Sequence, residues 1–203
     1  MKSKLLILIV LCASFFTSIE SAETSRYERG ARLNCAPQLM QYLTPIKKLN
    51  AGQELIDQIL KEGSFSIQIS DNSVTNQFAA CWDNLNRLIL IGLASRPTDA
   101  EIISSIIFEL HNAAMTSQLD KLDELALSRK ISKESYVRGV EHVEYMNSIK
   151  SARIVRLGVE QGIFPRETHL GVYSNFEEYL YYQKISGHSA VMEHNYELLM
   201  RHG

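Results

Sequence analysis

The chain has no Gly-x-Ser-x-Gly elbow, no glycine-rich phosphate loop and no cysteine and histidine set of the nucleophile kind. These absences remove the commonest serine-hydrolase and phosphate-cradling arrangements. It also lacks an excess of charge of one sign. There are 21 Lys and Arg against 23 Asp and Glu, a net charge of -2, and a pI near 6.3. No basic run interleaves with aromatics, so there is no field to hold phosphates, and nucleic acid is not an expected partner. Cysteine is scarce: of three, only Cys35 and Cys81 lie beyond the N-terminal apolar run, which is no zinc framework. There are no repeats and no low-complexity tract. The apolar run itself, Leu5 to Phe16, has about 12 apolar positions, short of the roughly 20 that a bilayer span requires.

What is present at the N-terminus predicts a secretory signal peptide over residues 1–22. Lys2 and Lys4 supply a positive start, the apolar run follows, and Thr17 to Ala22 turn polar. Cleavage after Ala22 is preferred although Glu20 stands at minus three, and Ala13 and Ser18 remain alternatives. Leu11 is bulky where a lipoprotein signal wants a small residue before Cys12. Residues 23–203 are then a single exported globular domain, periplasmic or secreted, with no stable membrane span. In an oxidising compartment Cys35 and Cys81 form a candidate disulfide. Closing about 45 residues, it would stabilise by roughly 3 to 4 kcal/mol. Two buried thiols are the alternative.

The periodicities predict an α+β fold, mostly helical overall, with a small antiparallel sheet packed on a buried central helix. Between Cys35 and Lys61, Leu39, Leu43, Ile46, Leu49, Ile56 and Ile59 recur at helical spacing, with Pro45 and Gly52 expected to split two helices. Phe65, Ile67 and Ile69 alternate with polar residues as in a half-buried strand. Phe78 to Trp82 and Leu88 to Leu93 read as two more strands joined by a turn at 83–86. Pro97, Thr98 and Asp99 announce a helix, with Thr98 and Glu101 at capping-box spacing and a run to about Leu127. Its first half, Ile102 to Ala114, is apolar all round and should be buried on more than one side. Ser132 opens another helix, expected to reach Leu157 before Gly158 and Gly162. A final aromatic segment from Asn175 ends at Gly187 before a last helix.

The order of strand, strand ending in Ala79-Ala80-Cys81-Trp82-Asp83, strand Leu88 to Gly92, then buried helix resembles the minimal core of the zincin metallopeptidases. In that family the buried helix carries His-Glu-x-x-His, where the two histidines grip one zinc from a single face and the glutamate serves as general base. Here the corresponding stretch is Phe108-Glu109-Leu110-His111-Asn112: the glutamate matches and both histidines do not. His111 lies about 200° round the helix from Glu109 and cannot share a metal with it. The resemblance implies a third ligand from a following helix, for which Glu141 and Glu144 are candidates, Glu144 by position.

Glu109 is therefore the catalytic candidate, and His111, Asn112, Glu141 and Glu144 are the candidate binding residues. A carboxylate among isoleucines needs a partner. Asn112 one turn on, or a Glu or His crossing from Val140 to Met146, would supply it, as structural glue or as a remnant pocket. His142 reads as solvated, and His188, His194 and His202, at spacings of six and eight, read as surface residues. Tyr173, Tyr179, Tyr181 and Tyr182 with Phe176 form either a recognition surface or an aromatic core. The leading expectation is a pseudo-peptidase: an exported zincin-like domain without its metal and without a cofactor, acting by binding a protein. The alternatives are an active metal-dependent peptidase or hydrolase using Glu109 with Asn112, Glu141, Glu144 and zinc, and a helical secreted protein with no enzymatic role.

Overall fold

The structure, a computed structural model, describes residues 30–71, Thr75 and 78–202; the expected signal peptide lies outside the described residues. A short strand β1 (Leu33–Cys35) leads through a 3-10 turn at Pro37–Leu39 into α1 (Met40–Lys48) and α2 (Asn50–Lys61). Then come β2 (Phe65–Ser70), β3 (Ala80–Asp83) and β4 (Leu88–Gly92). The rest is helical: α3 (Asp99–Ala114), α4 (Thr116–Leu127), α5 (Lys133–Glu160), α6 (Phe176–Ser186) and α7 (His188–His202). No described helix is long and apolar enough to cross a membrane.

The fold is α+β, but the sheet is mixed and four-stranded rather than antiparallel, in the order β1-β2-β4-β3. β1 pairs parallel with β2, and β2 parallel with β4; only β3 and β4 are antiparallel. The parallel pairing of β1 with β2 is made possible by the α1–α2 crossover between them. β3 runs at the far edge, and the hairpin at 84–87 brings β4 back into the gap beside β2, with Ile67 opposite Ile89 and Ile89 opposite Trp82. Although β3 is an edge strand, all four of its residues are buried. α3 packs against it, and the start of α4 adds hydrogen bonds, with the Trp82 indole donating to Thr116 Oγ1 at 3.0 Å and Asn84 beyond the strand donating to Asp120 at 2.6 Å.

That strand order overturns the expected disulfide. Cys35 on β1 and Cys81 on β3 occupy opposite edges of the sheet, three strand spacings or about 14 Å apart, whereas bridged Cα atoms lie within about 7 Å. No bridge joins them; the Cys35 thiol donates to the Ala36 carbonyl at 3.5 Å, and burial raises its pKa.

The helix boundaries differ from expectation in ways that packing explains. Pro45 lies within α1, and the break falls at Leu49, whose extended backbone (φ -81°, ψ 128°) separates α1 from α2. Gly52 is inside α2 because the helices meet tightly there: a Cβ on Gly52 would clash with the Ile46 carbonyl. The expected 99–127 helix is interrupted at Met115. Its start is as read from the sequence, with Glu101 N donating to Thr98 Oγ1 at 3.3 Å and Thr98 N donating to Glu101 Oε2 at 2.7 Å. α5 continues through Gly158 to Glu160, and Phe164 folds back onto that glycine where a side chain would clash with its ring.

Two apolar clusters result. The larger joins the sheet to α1, α2 and α3 through Ile67, Trp82, Ile89, Ile106 and Leu110. The smaller, with Leu119, Tyr136, Val140 and Met192, joins α4, α5 and α7. α3 lies between them, buried from Ile102 to Ala114. In an exposed helix Gly→Ala stabilises by about 1 kcal/mol. Gly52→Ala is expected to have the opposite sign, a loss of about 1–3 kcal/mol in urea unfolding, because the carbonyl it would strike is backbone.

Candidate functional site

α5 presents a polar stripe inside the protein: Glu141, Glu144, Asn147, Ser148 and Ser151 are all buried at helical spacing. α3 lies against it and supplies Glu109, His111 and Asn112. The contacts sort these residues into two layers along α5.

In the first layer Asn112 Nδ2 donates to Glu109 Oε2 at 3.2 Å, and Asn147 Nδ2 donates to Asn112 Oδ1 at 2.9 Å. Glu109 is 0% exposed. The residue that crosses from α5 to this pair is thus an asparagine, not the Glu or His expected from Val140 to Met146. His111 points elsewhere: its Nδ1 donates to the Ile107 carbonyl at 3.1 Å and lies 2.9 Å from Ser151 Oγ. Burial lowers the His111 pKa to about 4, although the Ile107 carbonyl opposes the shift.

The second layer lies one turn nearer the N-terminus of α5. Glu141 and Glu144, three residues apart, share a face and meet His188, the first residue of α7. His188 Nδ1 donates to Glu141 Oε1 at 3.0 Å, and its Nε2 stands 3.5 Å from Glu144 Oε2. Ser189 donates to Glu141 Oε1 at 2.7 Å and the Tyr179 hydroxyl to Glu144 Oε2 at 3.3 Å. Phe78 closes one side, its ring edge-on to the imidazole with centroids 6.1 Å apart. Burial raises the Glu144 pKa to about 8, reinforced by Glu141 and opposed by His188 and Tyr179. For His188, burial by itself would lower the pKa, but Glu144 and Glu141 outweigh it and the net shift is upward.

His188 is therefore a correction to the sequence reading, being 0% exposed rather than a surface residue. Gly187, at φ +88°, adopts the left-handed conformation that ends α6 and lets α7 start back toward α5. The usable signal was the spacing His188, Met192, Asn195: all three are buried on one face of α7. Asn147 was likewise missed, and only its place on the buried stripe of α5 marks it. His142 is exposed, as expected. The tyrosine group divides: Tyr179 is buried against Glu144, while Tyr181 is 60% exposed and stacks edge-on to Tyr182.

Zinc in the arrangement that the zincin resemblance implies does not fit α3. Phe108 offers no donor and is buried in the protein, and both polar atoms of the Asn112 amide are engaged, one by Glu109 and one by Asn147. No family model, no curated protein and no solved structure matches the chain.

Two outcomes follow. Asn112→Ala removes the donor to Glu109 and the acceptor for Asn147 in a dry interface, so urea unfolding is expected to show a loss of about 2–4 kcal/mol. His111 titrates near 6.5 unfolded and about 4 folded, so its contribution is complete above pH 6.5 and is lost as the pH falls toward 4, on the order of 3 kcal/mol. Asp123, raised to about 6 by burial, works in the opposite direction over an overlapping range. The difference between wild type and His111→Leu in unfolding free energy from pH 7 to 4 isolates the histidine, and a parallel pair of curves would contradict its assignment as buried and neutral.

Proposed function

We propose that the chain is an exported, zincin-like domain that acts by binding a protein and does not hydrolyse peptides. The observation that carries this reading is the engagement of Asn112 between Glu109 and Asn147. In a working zincin site the glutamate must face a metal-bound water. Here the last residue of the motif is an amide whose donor is spent on that glutamate, and the first is a buried phenylalanine. A general base without its metal and its water has no nucleophile to activate.

Binding is supported by the outer face of α6. Tyr181 and Ile185, one helical turn apart, are 60% and 62% exposed, and Tyr182 lies against Tyr181 and Tyr173, with ring centroids 5.5 and 5.4 Å away. Aromatic residues with a rigid backing are the usual anchors of protein interfaces. The occupant suited to it is a folded protein met after export that offers an apolar patch with a charged rim, since Glu177 and Lys184 flank Tyr181 and Ile185 on the exposed face.

The second reading, a metal-dependent hydrolase built on Glu109 with Asn112, Glu141 and Glu144, has one observation in its favour: Glu141 and Glu144 are buried side by side with a histidine. The readings part in assay. Purified protein supplied with zinc is expected to leave casein and a mixed peptide library uncleaved, with Glu109→Gln indistinguishable from wild type; hydrolysis lost in Glu109→Gln would establish the second reading instead. For binding, a photo-crosslinking side chain at position 181 is expected to give a discrete adduct in the exported fraction and one at exposed position 61 none. The same adducts at both positions, or at neither, would refute the α6 face.

A further inference from the structure

The second polar layer has a chemistry that the proposed function does not use. Glu141, Glu144 and His188 bring one ligand atom each to within 4.8 Å of one another, and all three side chains are buried. Two features mark the group as more than a chance acidic cluster. Glu141 Oε2 and His188 Nε2 are buried without a hydrogen-bond partner among the described residues, which leaves polar capacity for a ligand. In addition, Ser189 holds Glu141 by Oε1 and leaves its Oε2 open, and His188 Nε2 faces Glu144 at 3.5 Å. Ser189 thus holds one of the three from outside the group, as second-shell residues do at metal sites.

The spacing between His188 Nε2 and Glu144 Oε2 leaves room for a cation between them. A proton shared between Nε2 and Glu144 would draw the two atoms to about 2.7–2.9 Å, and they stand 3.5 Å apart. Two donors each about 2.0–2.1 Å from a tetrahedral ion lie about 3.3 Å from one another. The Tyr179 hydroxyl on Glu144 at 3.3 Å would hold that carboxylate as Ser189 holds Glu141.

We propose that Glu141, Glu144 and His188 form a binding site for one divalent transition cation, joining α5 to α7. A nitrogen and carboxylate oxygens suit the borderline ions from manganese to zinc, whereas calcium and magnesium favour sites made of oxygen alone. The ion would neutralise the two carboxylates and anchor the first residue of α7 immediately after the Gly187 turn. The site is independent of positions 108 and 112, and cation binding without peptide hydrolysis leaves the non-catalytic reading intact.

The test is titration of chelator-treated full-length protein with zinc chloride, manganese chloride and magnesium chloride by calorimetry, with the absorption spectrum of the cobalt(II) form as the structural readout. One equivalent of zinc or manganese is expected to bind and raise the melting temperature, magnesium to bind neither tightly nor stoichiometrically, and cobalt(II) to give visible bands of nitrogen and oxygen coordination. His188→Gln should weaken binding by at least about 100-fold and remove those bands. Ser189→Ala, which keeps all three ligands and leaves the helices intact, should weaken it by about 10-fold, so the proposal stays testable should His188→Gln fail to fold. Absence of stoichiometric binding would overturn it, and so would unchanged affinity in both variants, which would place the ion elsewhere.

Discussion

The hydrogen bond from Asn147 to Asn112 sets the register between the two helices at the centre of the protein. α3 is buried along nearly its whole length, so each polar side chain it carries must find a partner inside. α5 provides two of them: Asn147 opposite Asn112, and Ser151 opposite His111. A displacement of α5 by one residue rotates its stripe by about 100°, which would bury the Asn112 carbonyl and the His111 ring without these partners at a cost of a few kcal/mol each. The apolar contacts between the helices tolerate sliding far better than these do. Once Asn147 is held, Glu144 and Glu141 follow three and six residues earlier on the same face. Their meeting with His188 is thus a consequence of the register fixed one layer below.

Much of this arrangement was legible where a local rule has a single structural solution. The Thr98 and Glu101 pair can only start a helix, and the run from Ile102 to Ala114 has no polar face to give to water, so a central buried helix followed directly. The pairing of Glu109 with Asn112 follows from their spacing of three. The sheet was less legible. β1 has three residues, too few for alternation to emerge, and without it the strand count and the parallel pairing are hidden. Strand order is a long-range property: the hairpin of β3 and β4 is visible in sequence, but which of the two lies beside β2 depends on the core that α3 and the crossover helices present. The disulfide inference failed for that reason, since a sequence separation of cysteines does not state how many strands lie between them.

The second layer shows the same limit in chemical form. Glu141 and Glu144 attracted notice as acids after a central helix, while His188 did not, because its spacing to other histidines carries no information about burial. Its burial derives from Gly187, which turns α7 back across α5, and from Met192 and Asn195 on the same face. The tyrosines illustrate the converse. A cluster that reads as one aromatic patch is divided by a helix surface, with Tyr179 facing Glu144 and Tyr181 facing solvent.

The two layers also differ in what stability can explain. Asn112, Asn147, His111 and Ser151 are neutral, and their hydrogen bonds join α3 to α5 although Asn147 Oδ1 is left over among the described residues; a neutral network of that kind accounts for itself as a device for register. Glu141, Glu144 and His188 do not. Burying two carboxylates with one imidazole costs several kcal/mol per ion even when paired, and apolar residues of the same volume would hold α5 to α7 at least as firmly. Partners at 3.5 Å and a buried carboxylate oxygen without a donor recover only part of that cost. The difference is what a ligand must supply, and three converging donors with a second shell already in place specify the charge and size that it needs.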